Sequence, residues 1–316
     1  MRPWLPVLCA LCLAPAPSRA ADPDESPVPV VHLVAPGAPP LRPLRYQVQP
    51  GRRGRVNMTM GTKMSITLGE QALPTAPPMD IVMTFDYHVT SVAADGAMRT
   101  ECEFGAMKVV EKPGLPPEMV RAVTASLEGL KGMKGYSVVD RRGVVREADV
   151  VVPATAPAAV RQMIDGLRQS MRQLSSPFPE EPVGRGARWD TTFKIVQNGL
   201  TMDQVAHVEL AELSDDRGDL RFTLTQSAAP QRMHPPNTPA EVVIDLVSLA
   251  STGEGVTHFE LATPVNTSGR VGIKMNMASR IQAPNDKPQE MKMAMEISME
   301  LSAAAPTLSP EPAPKD

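Results

Sequence analysis

The sequence predicts a mainly β (α+β) protein: a large curved antiparallel sheet or half-barrel packed against one or two helices. Three observations point there. Met291, Met293, Met295, Ile297, Met299 and Leu301 alternate with polar or small residues, the two-residue period of a strand with one buried and one wet face. The same period returns in Met79, Ile81, Met83, Phe85, Tyr87 and Val89, and in Val271, Ile273, Met275 and Met277. Turn chemistry recurs between such runs, at Asp95-Gly96, Asp140 to Gly143, Asn198-Gly199, Asp215 to Gly218 and Ser268-Gly269, as hairpins require.

Taken in order, the chain opens with Arg2, an apolar stretch from Trp4 to Ala16, and Ser18-Arg19-Ala20, with small residues at both positions a signal peptidase reads. Residues 1–20 therefore read as a secretory signal peptide whose apolar part is too short to span a bilayer. The expected location is exported, periplasmic or extracellular, with no transmembrane segment in the mature chain. Residues 21–43 combine proline, acidic and small side chains without a sustained period, and read as disordered, as does the tail 303–316. The β-rich domain is expected over 44–302, with room for two similar halves meeting near 155–185.

Within that domain the alternation predicts strands over Arg55 to Leu68, Met79 to Val92, Ala97 to Val110, Arg188 to Gln197, Leu200 to Leu213, Asp219 to Gln226, Gly255 to Thr263, Gly269 to Ile281 and Met291 to Leu301. Strands this long must twist, so the sheet curves rather than lying flat. Two segments change period. Met119, Val120, Val123, Leu127 and Leu130 predict a helix over Pro117 to Leu130. Val160, Met163, Ile164, Leu167, Met171 and Leu174 predict an amphipathic helix over Ala158 to Leu174, started by Pro157 and stopped by Pro177. Pro230, Pro235, Pro236 and Pro239 surround Met233-His234 and predict an exposed excursion.

After that amphipathic helix comes Val183-Gly184-Arg185-Gly186-Ala187-Arg188-Trp189-Asp190, a glycine pair entering a strand with a tryptophan. The glycines permit a tight approach to the sheet and Trp189 supplies a packing anchor. No helix follows to receive an anion, so this is not a phosphate loop. With a strand opening at Leu44-Arg45-Tyr46, a Met-rich sheet and long final strands, the chain resembles a family of exported bacterial proteins defined as a domain of unknown function. The resemblance spans about Leu44 to Leu301; it implies export and a β-rich fold, and transfers no catalytic residue. In architecture alone, the curved sheet with helices also resembles periplasmic carriers of the lipoprotein-carrier type, which hold acyl chains in an open half-barrel.

A formal net charge of −3 gives no electrostatic basis for a nucleic-acid partner. Cys9 and Cys12 lie in the signal segment, which leaves Cys102 without a disulfide partner and in step with Met98, Thr100 and Phe104, as a packing residue. Gly-x-Ser-x-Gly, His-Glu-x-x-His and Cys-x-x-Cys do not occur, so no enzyme is expected and no cofactor is implied. His88 with Asp86, His207 with Glu209 and His258 with Glu260 read as charged pairs on wet strand faces. A membrane barrel would need aromatic girdles that a 3% aromatic content does not supply.

What stands out is 20 methionines. Met275, Met277, Met291, Met293, Met295 and Met299 fall on one strand face, and their flexible, polarizable thioethers suit an adaptable apolar surface. They are the candidate lining for a lipid or apolar small molecule. The alternatives are a structural or protein-interaction module, with an envelope protein as its partner, and a thioether copper site built on Met-x-Met pairs such as Met58-x-Met60.

Overall fold

In the computed structural model the described residues are 28–74, 77–151, 177–197, 200–233, 241–283 and 287–304. The signal segment, the segment predicted as the second helix (158–174), residues 234–240 of the proline excursion and residues 305–316 of the tail lie outside them.

The elements are β1 (Val30–Ala35), β2 (Arg53–Leu68), β3 (Gln71–Leu73), β4 (Met79–Val92), β5 (Met98–Val110), α1 (Pro117–Glu128), β6 (Lys134–Val139) and β7 (Val145–Val150), then β8 (Arg188–Gln197), β9 (Leu200–Leu213), β10 (Arg217–Ala228), β11 (Gln231–Met233), β12 (Val243–Glu260), β13 (Thr263–Gln282) and β14 (Gln289–Ala304). They form one open antiparallel sheet in the order β1-β8-β9-β10-β12-β13-β14-β2-β4-β5-β6-β7, with β3 and β11 as side pieces on β2 and β12. Two meanders, β2 to β7 and β8 to β14, are thus joined where β14 pairs with β2 from Met291↔Leu68 to Ala304↔Arg55.

The sheet is bent. Val139 on β6 and Trp189 on β8 share one core cluster although nine strand steps separate them, about 43 Å in a flat sheet. Two extended segments tie these flanks together. Tyr46 N–H donates to Arg141 O at 2.8 Å, on one flank, and Gln47 N–H donates to Leu261 O at 2.7 Å, on the other. Phe178 N–H donates to Arg142 O at 2.8 Å, and the Arg142 Nε donates back to Phe178 O at 2.8 Å. Leu44, Phe178, Trp189 and Phe259 are all at most 2% exposed, and the rings of Tyr46, Phe178 and Phe259 stack in sequence with centroids 5.3 and 5.0 Å apart. Burial of this much aromatic area is the main anchor of the closed end.

A second cluster lies where α1 crosses β5: Leu127, Leu130, Val120 and Val123 pack on Phe104, Met107 and Val109. The helix starts with Pro117 after an extended Pro116, a residue pair that favours helix initiation without a side-chain cap. A third cluster joins Ile195, Met202, Met233, Leu246 and Leu249.

Four details differ from the sequence reading. Residues 30–35, expected within a disordered segment, form β1, because Val31 and Leu33 reach the first core cluster and Pro29 and Pro36 bracket the run. Leu44-Arg45-Tyr46 opens no strand; it is the strap between the flanks, its side chains alternately buried. Ser268-Gly269 is no turn: both lie inside β13, and the hairpin closes at Leu261-Ala262 instead. Gly269 serves close strand approach there, since a Cβ would stand 2.8 Å from Val256 O. The strand expected over Gly255 to Thr263 starts earlier, at Val243, and stops at Glu260.

Candidate functional site

Because residues directly opposite in an antiparallel ladder share a face, the register assigns every side chain to one of two surfaces. On the apolar surface, Met277↔Met293↔Ile66 form one cross-strand row, Met275↔Met295↔Met64 the next, then Ile273↔Ile297 and Val271↔Met299↔Met60↔Ile81. Met291, Met293, Met295, Ile297, Met299 and Leu301 are each half-buried, and the residues alternating with them are exposed. Met275 and Met277 touch the third core cluster, whereas the apolar residues of β14 belong to none of the three. Five of the six methionines singled out in the sequence therefore lie in three adjacent rows on β13 and β14, and Met299 lies on the same face beyond the Ile273–Ile297 row. Met64 joins them only through register.

One row changes character along its length. Gln204 on β9, Gln226 on β10 and Ser251 on β12 stand opposite one another and lead directly into Met275, Met295 and Met64. The Gln226 amide donates to the Gln204 carbonyl at 2.7 Å. Ser251 is 3% exposed and its Oγ has no hydrogen-bond partner among the described residues. Nothing in the spacing of the sequence brings these three polar residues together, and the sequence reading missed them.

The cavities lie mainly against the other surface. One of about 1120 Å³ is lined by Asp190, His207, Thr223, Glu254, Gly272, Ser298 and Asp80, which the register places in one row from β8 to β4 through Gly61. A neighbour of about 660 Å³ shares Asp80, Thr223, Glu254, Gly272 and Ser298 with it, so the two form one groove. A third, of about 290 Å³, is lined by Ser65, Thr67, Ser248 and Asn276 among others. Met299 borders the first and Met277 and Met293 the third; Met275, Met291 and Met295 border none of the three. A twisted sheet is saddle-shaped, which gives each face a trough along one diagonal.

The groove carries charge of both signs: Arg188, Glu209 and Arg221 follow in register, with Arg270 and Glu300 beyond. His207 Nδ1 lies 2.7 Å from Asp190 Oδ1, and His258 Nδ1 lies 2.6 Å from Asp219 Oδ1. The sequence reading paired these histidines with Glu209 and Glu260 on their own strands. Residues two apart on a strand are separated by about 7 Å, and direct cross-strand neighbours by about 5 Å, so the cross-strand aspartates win. His88 stands opposite Arg53 and Glu101. An aspartate holding a histidine beside Thr223 has the order of a nucleophile relay, but the backbone N–H groups around it are committed to the sheet ladder and cannot form an oxyanion hole.

Burial pushes the Cys102 thiol up, which opposes thiolate chemistry. Trp189 is 1% exposed, Gly186 adopts φ +79° with open space around an added Cβ, and a Cβ on Gly184 would collide with Ala38 O, so the close approach belongs to Gly184 alone and is made to Ala38, outside the strands, rather than to the sheet. No group of three or more His, Cys, Asp or Glu residues among the described residues could hold a metal ion. No helix among the described residues is long and apolar enough to cross a membrane.

No family model matches the sequence, and no curated protein matches it. Among solved structures the chain is similar to lipovitellin, in a structure describing lipid–protein interactions in that protein. The likeness has 8% identity and a TM-score of 0.42, and covers 85% of this chain but only 27% of the lipovitellin chain.

Proposed function

We propose that this chain is an exported, non-enzymatic binding protein of the cell envelope that carries a lipid or another apolar ligand on the methionine surface of its sheet. One observation carries the reading. The rows on β13, β14 and β2 are mainly apolar, with Thr62 and Ser279 the polar members, and their methionines are only half-buried, in the middle of a sheet whose same face is fully packed at its closed end. An ordinary core would bury them; a surface that exchanges a ligand would not. From Met291 to Leu301 the run extends about 34 Å, ample for an acyl chain that spans half of a ~30 Å hydrocarbon layer. Thioether side chains with three rotatable bonds can repack around tails of different shape.

Native mass spectrometry of the protein purified from its exporting host, set against its denatured mass, tests this. A reproducible added mass that extracts into organic solvent and matches a lipid is the expected result. A bare polypeptide mass in repeated preparations would sink the carrier reading in favour of an interaction module, and a copper-sized increment would move the function to the thioether sulfurs.

A further inference from the structure

We infer that Gln204, Gln226 and Ser251 form the headgroup site for a neutral acyl lipid, an ester or alcohol such as a monoacylglycerol, whose tail crosses Met275, Met295 and Met64. This rests on the lipid-binding reading and narrows it to a ligand class.

Polar residues are the minority on this face: Thr191 extends the row beside the trio, Ser279 stands opposite Met291 and Thr62 opposite Ile297. The rows on either side of the trio are Ala206, Leu224, Gly253 and Ile273 and, on β12 to β14, Leu249, Met277 and Met293. Whichever way the two amides are turned, one bond between them leaves one NH2 and one carbonyl with no partner among the described residues. Ser251 adds a hydroxyl that is 3% exposed and, like those of Thr100, Thr191 and Ser279, has no hydrogen-bond partner among the described residues. Burying a hydroxyl without a partner costs stability, and beside Ser251 the two half-buried amides hold donor and acceptor capacity that a ligand head can use.

The chemistry of the trio selects the head. Amide NH2, amide carbonyl and hydroxyl provide donors and acceptors but no charge. They match an ester carbonyl and a free hydroxyl, and they offer no cation to offset a phosphate or an ionised carboxylate taken out of water. Nor does the row itself contain one: Phe193 precedes Gln204, and methionines follow Ser251. The length of the row selects the tail. Three strand steps from Ser251 to Met64 cover about 14 Å, close to the ~15 Å depth of one leaflet of a ~30 Å hydrocarbon core.

The test uses the full protein with three probes: monoolein, oleoyl lysophosphatidylglycerol and the headless fluorophore N-phenyl-1-naphthylamine. The fluorophore binds, and monoolein displaces it at lower concentration than the lysophospholipid. Ser251→Ala and Gln226→Met each weaken monoolein about tenfold, the loss of one hydrogen bond, and leave fluorophore affinity unchanged. Ser251→Ala removes an unbonded hydroxyl and should fold at least as well as the parent; Gln226→Met keeps the volume, and circular dichroism checks both. Monoolein affinity unchanged in both folded variants, or a preference for the lysophospholipid, would overturn the headgroup site while leaving apolar binding intact. Failure of all three probes to bind would overturn the lipid-binding reading itself.

Discussion

The ring of Phe222 lies over Gly255, its direct cross-strand partner, so closely that a Cβ on the glycine would overlap the ring Cζ. The relationship repeats in this sheet. Phe259 covers Gly218, where a Cβ would stand 2.7 Å from Cζ, and Tyr87 covers Gly54. Each ring fills the space its partner lacks, which shields exposed backbone and locks register. Gly255→Ala should therefore lower stability by about 1–3 kcal/mol, the usual cost of overpacking. Gly272, on the groove side, has nothing within 4 Å of an added Cβ, and Gly272→Ala should raise stability by roughly 0.5 kcal/mol. Urea unfolding of the two variants checks both signs; equal effects would refute the ring-over-glycine account.

Much of the fold is legible in the sequence because a strand with one wet face writes its period directly into composition. Met79–Val92, Arg188–Gln197 and Leu200–Leu213 have the bounds that alternation predicts, and α1 follows from its 3.6-residue spacing. What escaped reading depends on partners remote in sequence. β1 is short and flanked by prolines, and only its contact with β8 makes it a strand. Gly269 looks like a turn residue until Val256 stands across from it. The methionine surface was visible as alternation, whereas the row of Gln204, Gln226 and Ser251 exists only once three strands are in register.

Tyr46 predicts a loss of stability in alkali. Burial pushes its phenol well up, so the folded chain keeps the proton while the unfolded chain releases it near pH 10. Below that pH both states are protonated and the contribution is constant. Above it only the unfolded state ionises, and stability falls by about 1.4 kcal/mol per pH unit. Tyr46→Phe should flatten this slope in urea titrations between pH 9 and 11. Tyr136, raised by its hydrogen bond to Glu147, acts with the same sign and remains in the variant. A slope unchanged by the substitution would show that Tyr46 is not the responsible group.

Cys102 should react slowly with thiol reagents in the folded protein. Its thiol is raised by burial, against which the Gly135 backbone N–H is a smaller opposing influence. Peptide-resolved mass spectrometry after a short iodoacetamide pulse at pH 8 should find Cys102 labelled at least about tenfold less in native than in urea-denatured protein, since only the thiolate attacks. Comparable labelling in both states would mean the β5 face opens readily.

Met295 and Met98 test the proposed ligand surface against the core. Met98 is 1% exposed in the first cluster, so Met98→Asp buries a carboxylate without a partner and should cost more than about 3 kcal/mol. Met295 is half-buried, and Met295→Asp can turn its carboxylate toward water, at a cost below about 1.5 kcal/mol. Thermal melts by circular dichroism should show a folded M295D that retains no co-purifying lipid mass. Lipid retained at the parent level would remove Met295 from the lining.

The two edges of the sheet are unequally protected. β7 carries Arg146, Glu147 and Asp149, whereas β1 reads Val30, Val31, His32, Leu33, Val34 and Ala35, with no Asp, Glu, Lys or Arg and with Val30 and Val34 65% and 53% exposed. An apolar edge with free backbone groups templates pairing with another strand, and charge is the common defence. Association that rises with concentration should therefore run through β1. Val34→Lys should reduce it in light scattering at high protein concentration, while Glu147→Lys on β7, which swaps one charge for another, should leave it unchanged. If the β7 substitution is the one that changes association, the weak edge is β7 and β1 is shielded.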